Sequence, residues 1–320
     1  MRRRWETMSL LSAEELRTTY RTVRGTLHAV DGVSLHIEAG ETLALVGESG
    51  CGKSTLGKTI LRLVPSSAGT IRFDDVDITG LTGTALRPYR RRMQMVFQDP
   101  SASLNPRQTI GTSLATPLRV HGVRDRAERR RQVEAIAERV GLGSESLARY
   151  PHEFSGGQKQ RIGIARALIL KPSLVVCDEP VSALDVSIQA QILNLLADLR
   201  QSDERLSYLF ISHDLGVVRY IADRVAVMYL GLIVENASHR SLWNRPLHPY
   251  TRGLIQAVPG TGGRYRTAPI AGDLPNPLDP PAGCRFHPRC GLAQDVCRGT
   301  VPKLRTVLPD HEVACHLAVA

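Results

Sequence analysis

Short apolar runs alternate with amphipathic segments along most of this chain. Thr42-Leu43-Ala44-Leu45-Val46, Met93-Gln94-Met95-Val96-Phe97, Ser173-Leu174-Val175-Val176-Cys177 and Ser207-Tyr208-Leu209-Phe210-Ile211 are each about five residues long and mostly hydrophobic. That pattern predicts buried strands. The segments between them have a different period. In Arg124–Val140 the apolar residues Val133, Ile136, Ala137 and Val140 recur at helical spacing, with arginines and glutamates opposite, and Gly141 supplies a stop. Lys159–Leu170 and Ile188–Leu199 also read as helices. Strands alternating with helices predict a parallel sheet covered on both faces.

Other stretches are read by composition. From Thr18 to Ile37, residues rich in Val, Thr and Tyr surround Gly25 and predict an antiparallel sheet leading into the 42–46 strand. Residues 70–78 alternate as another edge strand, and Val225–Val234 reads as one more strand. Residues 1–16 carry few structural signals and read as an arm. Past about residue 245 the composition changes: residues 256–320 hold nine of the nineteen prolines and four of the six cysteines. This marks a separate small module. There is no internal repeat.

Composition adds little to this. At 320 residues, 42% hydrophobic and 22% charged, the chain has the makeup of a soluble globular protein. It can bury roughly three quarters of its unfolded surface. No apolar run approaches the ~20 residues needed to cross a bilayer. The basic start Met1-Arg2-Arg3-Arg4-Trp5-Glu6 is followed by no apolar segment of signal-peptide type, so the expected location is the cytoplasm. The net charge of +10 suits a nucleic acid, an anionic membrane face or a solvated arginine-rich surface equally well. It decides nothing.

The chemistry is concentrated in short motifs. Gly47-Glu48-Ser49-Gly50-Cys51-Gly52-Lys53-Ser54 is an uninterrupted G-x-x-x-x-G-K-[ST] between a predicted strand and the helical Thr55-Leu56-Gly57-Lys58-Thr59. Glycines let backbone N–H groups turn inward on a polyphosphate, and the following helix offers its positive end. Lys53 can reach the β- and γ-phosphates and Ser54 can ligate Mg²⁺. A purely structural turn would not need the Lys-Ser ending. Cys51, beside these donors and Lys53, is expected to favour its thiolate. Asp178 ends a buried strand, where open α/β sheets bind ligands, and is placed to hold Mg²⁺. Glu179 beside it can polarise an attacking water. Gln98 and His213 end two other strands and can reach the metal, the water or a γ-phosphate; either one by itself would be an ordinary polar residue. Ser155-Gly156-Gly157-Gln158 is a second glycine-rich helix start and so a second anion site. A helix cap accounts for its serine but not for both glycines. Tyr20, upstream of the phosphate loop, can stack on adenine or serve as an ordinary strand tyrosine.

The last motif is Cys284, Cys290, Cys297 and Cys315. A module of ~65 residues needs a staple. A cytoplasmic location argues against disulfides, and four thiolates suit Zn²⁺ or an iron–sulfur cluster. The gaps of five, six and seventeen residues are wider than the close pairs usual for zinc. Four free cysteines in a loop is the remaining reading.

Taken in order, these motifs resemble the ATP-binding cassette ATPases, and among them the oligopeptide/dipeptide and nickel importer branch. The resemblance runs from about Thr18 to the end. It rests on Gly47–Ser54, Val96-Phe97-Gln98-Asp99-Pro100, Ser103-Leu104-Asn105-Pro106-Arg107, Phe154–Arg161, Cys177-Asp178-Glu179-Pro180, Ser182-Ala183-Leu184-Asp185 and Ser212-His213-Asp214. His248-Pro249-Tyr250-Thr251-Arg252 and Cys284–Cys290 resemble the branch in particular.

The resemblance implies a P-loop cassette over residues 1–255, with a helical subdomain at about 99–165 and a C-terminal extension over 256–320. It further implies ATP sandwiched in a head-to-tail dimer between one subunit's phosphate loop and the partner's Ser155–Gln158. In the family's roles Tyr20 stacks on adenine, Gly47–Thr55 bind phosphate, Ser54, Gln98 and Asp178 serve Mg²⁺, and Gln98 also signals to the membrane subunits. Glu179 is the general base, His213 the γ-phosphate switch and Asp185 a cross-dimer contact. It implies a [4Fe–4S] cluster on the four cysteines, with Zn²⁺ as the alternative. The implied assembly holds a second cassette that is a paralogue, two transmembrane permeases and an extracytoplasmic solute-binding protein, at the inner face of the cell membrane. Nucleic acid is not among the expected partners. The competing readings are a nickel or other small-solute importer, and a cassette acting on nucleic acid; one cassette without sustained heptads speaks against the second. Two departures stand out. Phe154 opens the signature where most cassettes have Leu, and Glu235-Asn236-Ala237-Ser238 lacks the glycine usual in the turn expected there.

Overall fold

The structure, a computed structural model, describes residues 9–258, 270 and 272–319. The basic residues 1–8 lie outside that range. In chain order the elements are β1 (Ser9–Thr22), β2 (Gly25–Glu38), β3 (Thr42–Val46), α1 (Lys53–Ile60), β4 (Ala68–Phe73), β5 (Val76–Asp77), α2 (Gly83–Arg92), β6 (Met93–Val96), α3 (Pro100–Ser103), α4 (Ile110–Val120), α5 (Arg126–Arg139) and α6 (Gly156–Leu168). They continue with β7 (Leu174–Asp178), α7 (Val186–Gln201), β8 (Ser207–Ser212), α8 (Leu215–Ile221), β9 (Arg224–Tyr229), β10 (Leu232–Ser238), α9 (His239–Asn244), α10 (Pro249–Gln256), α11 (Asp295–Gly299), β11 (Arg305–Leu308) and β12 (His311–Val313). Two compact units emerge, residues 1–80 with 210–320, and residues 81–209.

In the first unit β1 pairs with β2 across a tight turn, and β4 and β5 complete a four-stranded antiparallel sheet in the order β2-β1-β4-β5. A second set of strands runs β11-β12-β10-β9-β3, with β3 and β9 parallel. All five residues of β3 are buried, as expected for a parallel strand covered on both faces. The end of this unit is tied down by a buried polar cluster. Glu235 on β10 accepts from the N–H groups of Leu247 (2.6 Å) and His248 (3.0 Å) and lies 2.7 Å from Nε2 of His311 on β12. The other ring nitrogen of His311 is 2.8 Å from Ser241 Oγ. Glu235 and His311 are fully buried, so these bonds replace the water both side chains give up.

In the second unit β6 and β7 are parallel neighbours and β7 is buried throughout. Helices α3 to α6 lie between β6 and β7 in sequence, with short 3-10 turns at Ser144–Ala148 and Pro151–Glu153, and α7 follows β7.

This is the α/β fold with an N-terminal antiparallel sheet that the residue pattern predicts. Four details differ. Strand β1 starts at Ser9, so residues 9–16 of the expected arm are strand, held by hydrogen bonding to β2 and β4. Residues 70–78 are a hairpin, because Asp74 and Asp75 adopt φ of 54° and 61° and turn the chain. Val225–Val234 is likewise two strands, broken at Leu230-Gly231, both with positive φ. Glu235–Ser238 are therefore the end of strand β10 and not a turn, so no glycine is needed there. Phe97 lies just past β6 and is 38% exposed rather than part of a buried strand.

Candidate functional site

The phosphate loop begins where β3 ends. Gly52, the residue before α1, has φ of 108°, and a Cβ there would sit 2.1 Å from the Ala29 carbonyl oxygen. Only glycine fits. The loop then feeds directly into α1, whose first-turn N–H groups point back toward it. Lys53 is buried, and its ammonium donates to the Gly47 and Glu48 carbonyls at 2.8 and 3.0 Å. Its charge is thus held across the loop, where a polyphosphate can exchange for these carbonyls. Ser54 and Thr55, the next residues of α1, are partly buried. Cys51 departs from expectation. It is 1% exposed, and burial raises its thiol pKa despite the opposing charge of Lys53. Its neutral thiol is favoured, because desolvation of the thiolate outweighs the nearby ammonium.

Glu48 is held from two sides within the same unit. Its N–H donates to Tyr250 Oη at 2.9 Å, and its carboxylate accepts both arms of the Arg289 guanidinium at 2.7 and 2.9 Å. The Arg289 side chain is 6% exposed, and the rings of Tyr229, Tyr250, Phe286 and His248 pack in edge-to-face and tilted contacts behind it. Arg285 reaches Asp31 and the Leu230 carbonyl from the same cysteine-bearing segment. Sequence reasoning gave these arginines no role. The signal available was only that they lie in branch-specific stretches.

Tyr20 is exposed on β1 and pairs in register with Leu27. An exposed ring on a rigid strand is what base stacking needs. His213 is exposed just after β8.

In the second unit Asp178 closes β7 and is 3% exposed. Glu179 follows at φ of 46°, a strained conformation for glutamate, and accepts a hydrogen bond from Gln98 Nε2 at 3.0 Å. The structure thus brings together two side chains that sequence placed at separate strand ends. Ser155 caps α6 in a reciprocal capping box: its Oγ accepts from the Gln158 N–H, and Gln158 Oε1 accepts from the Ser155 N–H. Gly157 has its own reason, since a Cβ there would lie 2.5 Å from Ile188 Cγ2 on α7. Ser155, Gly156 and Gln158 remain exposed. Asp185 caps α7, and its bonds from the Ile188 N–H and Ser187 Oγ hold its carboxyl pKa below the usual range.

Cys284, Cys290, Cys297 and Cys315 line one pocket with His248, His287 and His316. Burial pushes the Cys284 thiol up to about 11, and raises those of Cys290 and Cys315. Among the described residues no three His, Cys, Asp or Glu side chains are grouped as a metal-holding set. The expected iron–sulfur or zinc site is not supported beyond the shared pocket.

A glycine-rich phosphate loop at a strand–helix junction and an Asp-Glu pair at a strand end define a P-loop nucleotide-hydrolysing protein. Residues 30–182 match the ABC transporter family, and residues 234–297 match the oligopeptide/dipeptide transporter C-terminal region. The chain is 52% identical over 299 residues to the oligopeptide transport ATP-binding protein AppF of Bacillus subtilis, covering 92% of this chain and 90% of that one. It is 49% identical over 321 residues to the di/tripeptide transport ATP-binding protein DppF of Pseudomonas aeruginosa, covering 97% and 98%. The dimeric ATP-binding cassette MJ0796, solved in a post-hydrolysis state with ADP and Pi, is 28% identical with a TM-score of 0.66, covering 72% of this chain and 99% of that one. The chain belongs to the ABC transporter family, in the branch that carries the oligopeptide/dipeptide C-terminal region. It is an ABC ATPase, and the family's activity uses ATP with Mg²⁺. Among the described residues no helix is long and apolar enough to cross a membrane.

Proposed function

We propose that this chain is the ATP-hydrolysing motor subunit of a peptide importer. The observation that supports this most strongly is its nearly end-to-end likeness to two peptide-transport ATP-binding proteins, C-terminal region included. In this reading residues 1–255 form the cassette, with its helical part at about 99–165, and 256–320 the extension. Gly47–Thr55 take the polyphosphate, Tyr20 the adenine, and Ser54, Gln98 and Asp178 serve Mg²⁺. Glu179 acts as general base, His213 contacts the γ-phosphate, and the exposed Ser155–Gln158 and Asp185 meet the nucleotide of a second cassette. ATP favours the closed pair and hydrolysis the open one, so the nucleotide shifts a two-state equilibrium that partner permeases follow. The second cassette is a paralogue, the assembly sits at the inner face of the cell membrane, and an extracytoplasmic binding protein delivers the peptide. Affinity purification from solubilised membranes tests this. The expected result is two multi-span permeases and a second, non-identical cassette in the complex; ribosomes or nucleic acid in their place would overturn it.

The four cysteines are the candidate ligands of a [4Fe–4S] cluster. Four thiols and no competing carboxylate around one pocket suit that group chemically. Loading must displace thiol protons, so it is favoured by alkaline pH. A bound cluster would fasten the extension by closing its loops. Anaerobic purification is expected to give brown protein with about four irons per chain, lost in Cys290→Ser. Colourless protein with one zinc, or none, would remove the cluster and leave the ATPase untouched.

A further inference from the structure

Two stretches that set this branch apart, 248–252 and 284–290, converge on one residue of the phosphate loop. Tyr250 accepts from the Glu48 N–H at 2.9 Å, and Arg289 forks onto the Glu48 carboxylate at 2.7 and 2.9 Å. Glu48 thereby loses freedom at both its backbone and its side chain. The electrostatics are as telling as the geometry. A carboxylate inside a loop built for a polyphosphate repels its ligand, and this one has a buried counter-charge in an orientation fixed by the Tyr229 ring, 5.9 Å from the guanidinium carbon, and Tyr229 Oη at 3.4 Å. Planar bidentate pairing gives the arginine a defined position rather than a loose ionic cloud.

We infer that Arg289 is a positioning residue for nucleotide binding, neutralising Glu48 and holding it aside so that the phosphate loop accepts a polyphosphate. The inference rests on the reading that residues 47–54 hold the triphosphate. Its consequence is that nucleotide affinity depends on the folding of the cysteine-bearing segment. Arg289 is the last residue of the turn His287–Arg289, one position before Cys290, and reaches the loop across 241 residues of sequence.

The test is a double-mutant cycle on the purified full-length chain, with MgATP affinity measured by calorimetry at low and high salt. Arg289→Ala is expected to weaken MgATP binding about tenfold or more, the size of coupling seen for close charge pairs. The loss should be larger at low salt, because unscreened repulsion from Glu48 is its cause. In a Glu48→Gln background the same arginine change should cost little, and Arg289→Lys, which keeps charge but not the fork, should fall between. If Arg289→Ala does not fold, Arg289→Gln gives the same comparison with a similar volume. A lower melting temperature with unchanged affinity, or an equal loss in the Glu48→Gln background, would show a packing role only and overturn the inference. Lys53→Ala separates the two levels: if it binds MgATP normally, the phosphate-loop reading itself has failed. If it loses binding while Arg289→Ala keeps it, only the role of Arg289 has failed.

Discussion

Glu179 stands one position past the buried Asp178, at φ of 46°, and takes a hydrogen bond from Gln98 at 3.0 Å. A glutamate in left-handed backbone costs roughly 1 kcal/mol or more, which persists only where the surroundings fix it. Here the strained turn aims the carboxylate at the Gln98 amide and not along the strand. In its proposed role as general base, a group positioned in this way contributes about 10²–10⁴ in rate. Glu179→Gln is therefore expected to keep MgATP binding and to slow hydrolysis by about that factor in the assembled transporter. Phosphate release within a few fold of wild type would take the base role from Glu179. Sequence disclosed the position of this residue, since a strand-end Asp-Glu pair is local. It could not disclose the Gln98 contact, which joins residues 81 apart, nor the neutral state of Cys51, which is set by burial that a motif does not contain.

At the scale of elements, the two glycine-rich helix starts are built for different tasks. The α1 start is held in place: Lys53 is buried, its charge is folded over the loop carbonyls, and Glu48 is pinned by Arg289. The α6 start is open, with Ser155 and Gln158 satisfying each other's N–H groups and facing solvent. In the proposed arrangement the α1 loop holds this chain's own nucleotide and the exposed α6 start meets one brought by another subunit. Two variants should separate these roles. Lys53→Ala should abolish MgATP binding to the isolated chain, while Ser155→Arg should leave that binding nearly intact and stop turnover in the complex. Equal loss of binding in both would contradict the head-to-tail arrangement. The elements themselves were largely legible, because buried parallel strands are short unbroken apolar runs and amphipathic helices repeat at their own period. The hairpins were harder. Asp74-Asp75 and Leu230-Gly231 turn the chain in one or two residues, too briefly to interrupt an apolar pattern. The β11–β12 hairpin is only a few residues long and is defined by its partner β10, so no local pattern announced it.

Across the molecule, buried histidines link stability to pH. His36 on β2 meets Arg224 through Nε2, and because a guanidinium can only donate, that nitrogen must accept and the ring must be neutral. Burial, reinforced by the Arg224 charge, lowers the His36 pKa from 6.5 to about 3. His248 behaves alike: its Nδ1 accepts the Tyr250 N–H at 3.1 Å, and burial lowers its pKa from 6.5 to about 4. In the unfolded chain both take up a proton near pH 6.5, whereas in the fold they do not. Folding is thus fully supported by these two groups above pH 6.5 and loses that support as pH falls toward 4 and 3. Each contributes a slope of at most about 1.4 kcal/mol per pH unit within its window. Glu41, whose pKa is raised by burial beside Arg224, works in the opposite sense. The histidines make the fold acid-sensitive below about pH 6.5, and the melting temperature should fall as pH drops from there toward 5. His36→Gln keeps a side-chain acceptor for Arg224 and has nothing to protonate, so its melting curve should depend less steeply on pH than wild type. Parallel pH profiles for the two proteins would mean that His36 is not a source of the acid sensitivity.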